Sequence, residues 1–235
     1  MVNMEYNTII DKKSVSQQII DLILQEIIEG RLKLGDRILN EREFAAELGV
    51  SRVPLREAIS ALSLLGILTP KQGEGTFVTN FNSERFSKII FANVKLQNIS
   101  QQDIFDVRKD FECSAAKYAA KRATKEDIKK IKHYYDLHKK TIDQYLSGEG
   151  NLLSVTKADM QFHDAIASAA NNEFFKQFVD ALHYSIKYMH SIYKNKKDEL
   201  NIFSTHHKKI LDAIEEGNPD LAHKNMSEHL NTIVF

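Results

Sequence analysis

Only one stretch of this 235-residue sequence departs from a helical pattern, and its place in the chain restricts the architectures open to it. Between residues 67 and 80 the run ILTPKQGEGTFVTN sets two short apolar or β-branched segments around a Gly-x-Gly turn, which predicts a small hairpin. Three helices are expected ahead of it. Ile19, Ile20, Ile23, Leu24, Ile27 and Ile28 recur at helical spacing before Gly30. Asn40 is a candidate cap for a second helix over Glu41 to Leu48, stopped by Gly49. Ser51 is a candidate cap for a third, which carries Leu55, Ile59, Leu62 and Leu65 and stops at Gly66. Helix, helix, turn, helix, hairpin is the order of a winged helix-turn-helix.

Everything after Asn82 reads as helix. Candidate starts are Ser83, Ser100, Thr124, Asn151, Asn172 and Asn218, with breaks at residues 148–150 and at Gly217-Asn218-Pro219; residues 184–204 offer no clear partition. Six or seven helices in this part make an all-α bundle. The expected fold is therefore mainly α: a winged helix-turn-helix over residues 1–80, then a helical bundle over 81–235.

Composition narrows the function classes. Hydrophobic residues at 43% and charged residues at 27% describe a globular chain rather than a disordered one. The opening MVNMEYNTIIDKK lacks the apolar core of a signal peptide, and no apolar run approaches a bilayer span, so a cytoplasmic protein without a membrane partner is expected. The single Cys113 excludes an intramolecular disulfide and a thiolate metal cluster.

Lys plus Arg balance Asp plus Glu at 32 each, so any charge that meets nucleic acid must be local. In a helix-turn-helix the second helix enters the major groove by its first turns. Here that helix opens Ser51-Arg52-Val53-Pro54-Leu55-Arg56. Arg52 and Arg56, four apart, share a face, and arginine grips guanine edges bidentately. Ser51 and the free N–H groups of the helix suit a phosphate. Arg42 is placed for the backbone or groove edge, and the wing offers Lys71, Gln72 and two glycines. The competing reading pairs Arg52 and Arg56 with Glu47, Glu57 or solvent. Residues 1–80 carry nine Lys/Arg against eleven Asp/Glu, which argues against strong non-specific DNA affinity.

Residues 16–80 resemble the GntR family of bacterial regulators. The resemblance is carried by Gly30-Arg31-Leu32-Lys33-Leu34-Gly35-Asp36-Arg37, by LNEREFAAELGVSRVPLREAISALSLLGIL from Leu39, and by Gly73-Glu74-Gly75-Thr76-Phe77-Val78. It implies DNA contacts at Arg42, Arg52, Arg56 and Gly73, with Ser51 and Pro54 beside them. Leu34 stands where the family usually has proline, and Leu39-Asn40 where it has a Pro-Ser type helix entry; both affect turn rigidity rather than contact chemistry.

In the second half, helical spacing singles out four polar residues. Asp159 and His163 share a face with Phe162 and Ile166; His207 faces with Ile210, Leu211 and Ile214; His229 with Ala222, Met226 and Ile233. His206 and His223 are rotated away from these stripes. One Asp and three His on three inward faces suit a divalent cation, and buried histidines that merely hydrogen-bond suit the pattern too. Arg108 faces inward with Ile104, Phe111 and Ala115, either paired to Glu112 one turn on or clamping a carboxylate ligand. Asn171, His183 and Tyr188 are candidates to complete a polar pocket.

From about Asp103 onward the chain resembles the FCD ligand-binding domain of the FadR subfamily. The matching stretches are Asp106 to Glu112, Ala158 to His163, His207 to Ile214 and Glu228-His229-Leu230. The resemblance implies metal ligation by Asp159, His163, His207 and His229, with Zn, Ni, Mn or Fe all compatible, and a small carboxylate effector near Arg108. It further implies a homodimeric repressor on a palindromic operator, and not an enzyme. A metal-free acyl-ligand sensor and a metal-dependent hydrolase are the alternatives; the hydrolase lacks a glutamate placed as general base.

Overall fold

The computed structural model describes residues 13–80, 82–187 and 199–232, with the side chains of residues 101 and 183–187 left outside the description. It divides into two compact units, residues 1–85 and 86–235.

In the first unit, helix α1 (Val15–Ile28) begins at Ser14, whose Oγ accepts the Gln17 amide at 3.1 Å. It buries Ile19 and Ile23, while Ile28, the last residue of the helix, is exposed. Strand β1 (Arg37–Ile38) leads to α2 (Glu41–Glu47), where Asn40 Oδ1 accepts the amides of Arg42 and Glu43. Helix α3 (Arg52–Leu64) follows, with Ser51 at the N-cap position but without a capping side-chain bond. Leu55, Ala58, Ile59 and Leu62 of α3 enter the core with Ile19, Ile23, Ile38, Ala45, Leu68 and Val78. The expected fourth core position, Leu65, is 48% exposed. It caps the helix just before Gly66, whose φ of +76° turns the chain away and takes Leu65 off the apolar stripe.

Strands β2 (Leu68–Lys71) and β3 (Gly75–Val78) form the expected hairpin, with Leu68 opposite Val78 and Lys71 opposite Gly75. The sheet has a third member: β1 pairs antiparallel with β3 and gives the order β1-β3-β2. Gly75 enters that pairing at a backbone conformation that favours glycine. Its φ is +114°, and a Cβ there would lie 2.6 Å from Arg37 Nε.

Seven helices follow among the described residues: α4 (Ser83–Leu96), α5 (Gln101–Arg122), α6 (Lys125–Ser147), α7 (Leu152–Ala169), α8 (Glu173–Lys187), α9 (Leu200–Glu215) and α10 (Pro219–Asn231). The break between the two units falls inside α4. Side-chain oxygens open most of the helices. Ser100 and Asp103, then Thr124 and Asp127, form reciprocal capping boxes, and Asn151 and Asn218 accept the amides of Ser154 and Leu221. Gly148, at φ +86°, ends α6. In the bundle α6 packs on α7, and α10 on both α5 and α9. Ala115, Ala116 and Ala119 are all buried on α5, and such small side chains let neighbouring helices approach closely.

Candidate functional site

In the first unit, the two arginines on the leading turns of α3 are exposed and converge on one acceptor. Arg52 Nη2 lies 3.2 Å and Arg56 Nε 2.5 Å from the same oxygen, Oε2 of Glu41, the first residue of α2. Hydrogen bonding from Arg56, then from Arg52, holds the Glu41 carboxyl below its ordinary value, with burial opposing. The expected rivals, Glu47 and Glu57, are not the partners in these pairs. Glu41 was missed because it sits in the sequence as an ordinary first-turn acid, eleven residues before Arg52. Arg42, Ser51, Gln72 and Gly73 are exposed and Pro54 half-buried. Gly73 takes a φ of +77° at the tip of the hairpin.

In the second unit, α7 supplies Asp159 and His163 one turn apart, α9 supplies His207 and α10 supplies His229, each at most 2% exposed. One ligating atom from each falls within 4.8 Å of all the others. The Nε2 atoms of His207 and His229 are 3.1 Å apart, and those of His229 and His163 3.3 Å. Asp159 Oδ1 lies 3.4 Å from His207 Nε2 and 3.9 Å from His163 Nε2. Phe162 stacks on the His207 ring at 4.2 Å between centroids, and Phe203 meets His229 edge-on.

Tautomers decide what this convergence can do. Nδ1 of His163 is in close contact with Glu112 Oε2, so the proton of the neutral ring sits on Nδ1 and the Nε2 lone pair points inward. His229 then has a single Nε2 facing two other Nε2 atoms, and one N–H there satisfies at most one of them. Hydrogen bonding alone leaves lone pair against lone pair. A cation suits the same set. With metal–nitrogen bonds of about 2.1 Å, neighbouring donors sit roughly 3.0–3.4 Å apart. Burial holds His207 and His229 well below the ordinary imidazole value of 6.5 and keeps them neutral, the form in which imidazole ligates. The residues present therefore fit a divalent cation.

Two further groups surround the four. Arg108 Nε contacts the other oxygen of Glu112, both side chains being buried, so the pairing expected one turn on is formed and extends to His163. His138 of α6, 1% exposed, places its Nδ1 3.0 Å from His207 Nδ1. Its helical spacing with the buried Ile131, Thr141 and Ile142 marks an inward face, but not which residues that face meets. Of the remaining pocket candidates only Asn171 has a described side chain, and it lies away from the cluster. Asn171 follows the end of α7, eight residues or about 12 Å of helix rise beyond His163, and donates to Arg122 O at 3.0 Å. His183 is on α8 with its side chain outside the description, and Tyr188 lies outside the described residues. As expected, His223 is exposed; His206 is half-buried and off the ligand set.

Residues 15–78 match the bacterial regulatory proteins of the gntR family, and residues 103–232, more than half of the chain, match the FCD domain. The chain belongs to the GntR family and carries an FCD domain. This GntR protein is 30% identical to the HTH-type transcriptional regulator LutR of Bacillus subtilis (strain 168), over 88% of its own length and 94% of the relative's. It is 30% identical to a protein of Escherichia coli (strain K12) named for regulation of the L-lactate dehydrogenase operon, over 94% and 85%. A solved structure, a GntR protein of Streptococcus agalactiae, superposes with a TM-score of 0.66 at 25% identity, covering 93% of this chain and 98% of the other. The GntR chain is thus a transcriptional regulator with a DNA-binding unit and an effector-binding FCD unit, and not the hydrolase weighed from its histidines. Among its described residues no helix is long and apolar enough to cross a membrane.

Proposed function

We propose that this GntR regulator is a homodimeric repressor, cytoplasmic, whose two α3 helices read the half-sites of a palindromic operator. A small carboxylate bound beside a divalent cation on Asp159, His163, His207 and His229 releases it. The convergence of those four donors in a buried site carries the sensor half of the reading. When bound, the cation supplies Lewis acidity toward an anionic ligand. One ligating carboxylate and three neutral imidazoles leave a divalent charge half compensated, which favours an anion as the next ligand. Arg108 is paired with Glu112 beside it, so the charge that favours a carboxylate comes from the cation rather than from the guanidinium. The lactate link in the name of one relative points to a 2-hydroxycarboxylate.

On the DNA side, Arg52 and Arg56 contact base edges, Arg42 and Ser51 phosphates, and Gln72 and Gly73 the groove beside the wing, with Pro54 shaping the first turn of α3. The effector acts through its difference in affinity for two arrangements of the dimer, one of which fits the half-site spacing.

Selection from a random duplex library, followed by fluorescence anisotropy and analytical ultracentrifugation, tests this reading. The expected result is a palindromic consensus, a dimer on each duplex, release by L-lactate in the presence of Zn2+, and at least tenfold weaker binding by R52A/R56A. An unselective library, or equal affinity of the double variant, would overturn the DNA assignment; indifference to a panel of small carboxylates would overturn the effector class.

A further inference from the structure

We propose that His138 is a positioning residue of the metal centre, a role that rests on the ligand set above. Its Nδ1 accepts a hydrogen bond from the Nδ1–H of His207, so that the lone pair of His207 Nε2 is turned toward the other ligands. The two Nδ1 atoms are 3.0 Å apart with both rings buried, and exactly one proton fits between them when the rings are neutral. Its location has two solutions. If His138 holds it, His207 carries its own proton on Nε2, where it meets His229 Nε2 at 3.1 Å and blocks ligation. His138 Nε2 would then present a lone pair to Asp159 Oδ1 at 3.8 Å, an unfavourable approach to a carboxylate. If His207 holds it, both conflicts vanish: His207 Nε2 is a donor to metal, and the Nε2–H of His138 points at the Asp159 carboxylate.

From a third helix, α6, the His138 ring thus hydrogen-bonds one ligand, His207 on α9, and turns its Nε2 toward a second, Asp159 on α7, at 3.8 Å, an electrostatic approach longer than a hydrogen bond. Glu112 does the equivalent for His163 from α5. Outer groups of this kind set the tautomer and orientation of ligating histidines, and their loss usually lowers metal affinity about 10–100-fold.

The purified full chain, its H138F variant and the conservative H138N variant, whose amide oxygen replaces the Nδ1 acceptor, are titrated with Zn2+ against a chromophoric chelator. Co2+ loading adds the d–d spectrum. Wild type is expected to bind one equivalent, H138F about 10–100-fold more weakly with an altered Co2+ spectrum, and H138N within a few-fold of wild type. In parallel, 15N-histidine NMR of the Zn2+-loaded wild type is expected to show His207 protonated at Nδ1, and His138 at Nε2 only. That measurement needs no variant to fold. Unchanged affinity and Co2+ spectrum in H138F, or a His138 ring that carries its proton on Nδ1 or binds the metal directly, would overturn the role. A wild type that takes up neither Zn2+ nor Co2+ would instead overturn the metal site itself, and the role with it.

Discussion

Glu41 places a negative charge between the two arginines that would meet DNA, and at half-exposed side chains such pairs contribute little to folding, about 0–1 kcal/mol. Its effect belongs to recognition. In E41Q the arginines lose a partner that phosphate otherwise has to displace, so affinity for random-sequence DNA should rise several-fold and discrimination in favour of the operator should fall. Anisotropy titrations over a salt series read both, with thermal melting as the control for folding; equal discrimination in E41Q would remove Glu41 from this role. Arg52 and Arg56 were legible because two arginines four apart on a reading helix form a local pattern. Glu41 was not, since the loop between α2 and α3 brings it to them and no spacing rule covers that. His138 was hidden in another way: on α6 it occupies a core position, and only the third dimension sets it beside His207, 69 residues on.

Helix starts were the most legible elements, because a cap is a short-range hydrogen bond whose donor and acceptor lie within three residues. Ser100, Thr124, Asn151 and Asn218 all stand where their side chains accept first-turn amides. T124A should cost about 1 kcal/mol of stability, within a range of roughly 0.5–2, measured as a lowered urea midpoint with unchanged slope. Asn82 rather than Ser83 opens α4, its Oδ1 accepting the Arg85 amide at 2.8 Å, a shift of one residue between two good cap formers. The start of α9 was illegible. Glu199 precedes it with no capping side-chain bond, so no residue type announces it. Strand β1 escaped for a different reason: two residues cannot show a period, and the pairing that makes them a strand comes from residues 76 and 77 of β3. G75A should loosen this sheet, since the added methyl meets Arg37 at a φ that L-residues avoid; amide exchange at Ile38 and Val78 should quicken while α3 stays protected.

At the scale of the whole chain, the buried histidines make stability depend on both pH and metal. His207 and His229 resist protonation in the folded protein, whereas in the unfolded chain they titrate near 6.5. Below that value the unfolded state binds more protons than the folded state, so stability present above about pH 6.5 is lost as pH falls. The metal-free protein should therefore show a lower urea midpoint at pH 5.5 than at pH 7.5; equal midpoints would contradict the burial of neutral rings. Zn2+ at a hundred times its dissociation constant should add about 2.7 kcal/mol, and thus raise the melting temperature by about 5–10 °C, reversed by EDTA. The donors for that ion come from positions 159, 163, 207 and 229, on three helices that are far apart along the chain. A single cation held there would act as a removable cross-link that closes loops of 44 and 22 residues, a task that a disulfide cannot perform in a chain with one cysteine. Loading and stripping it should switch the amides of α7, α9 and α10 between slow and fast hydrogen exchange without a single peptide bond or side chain being changed.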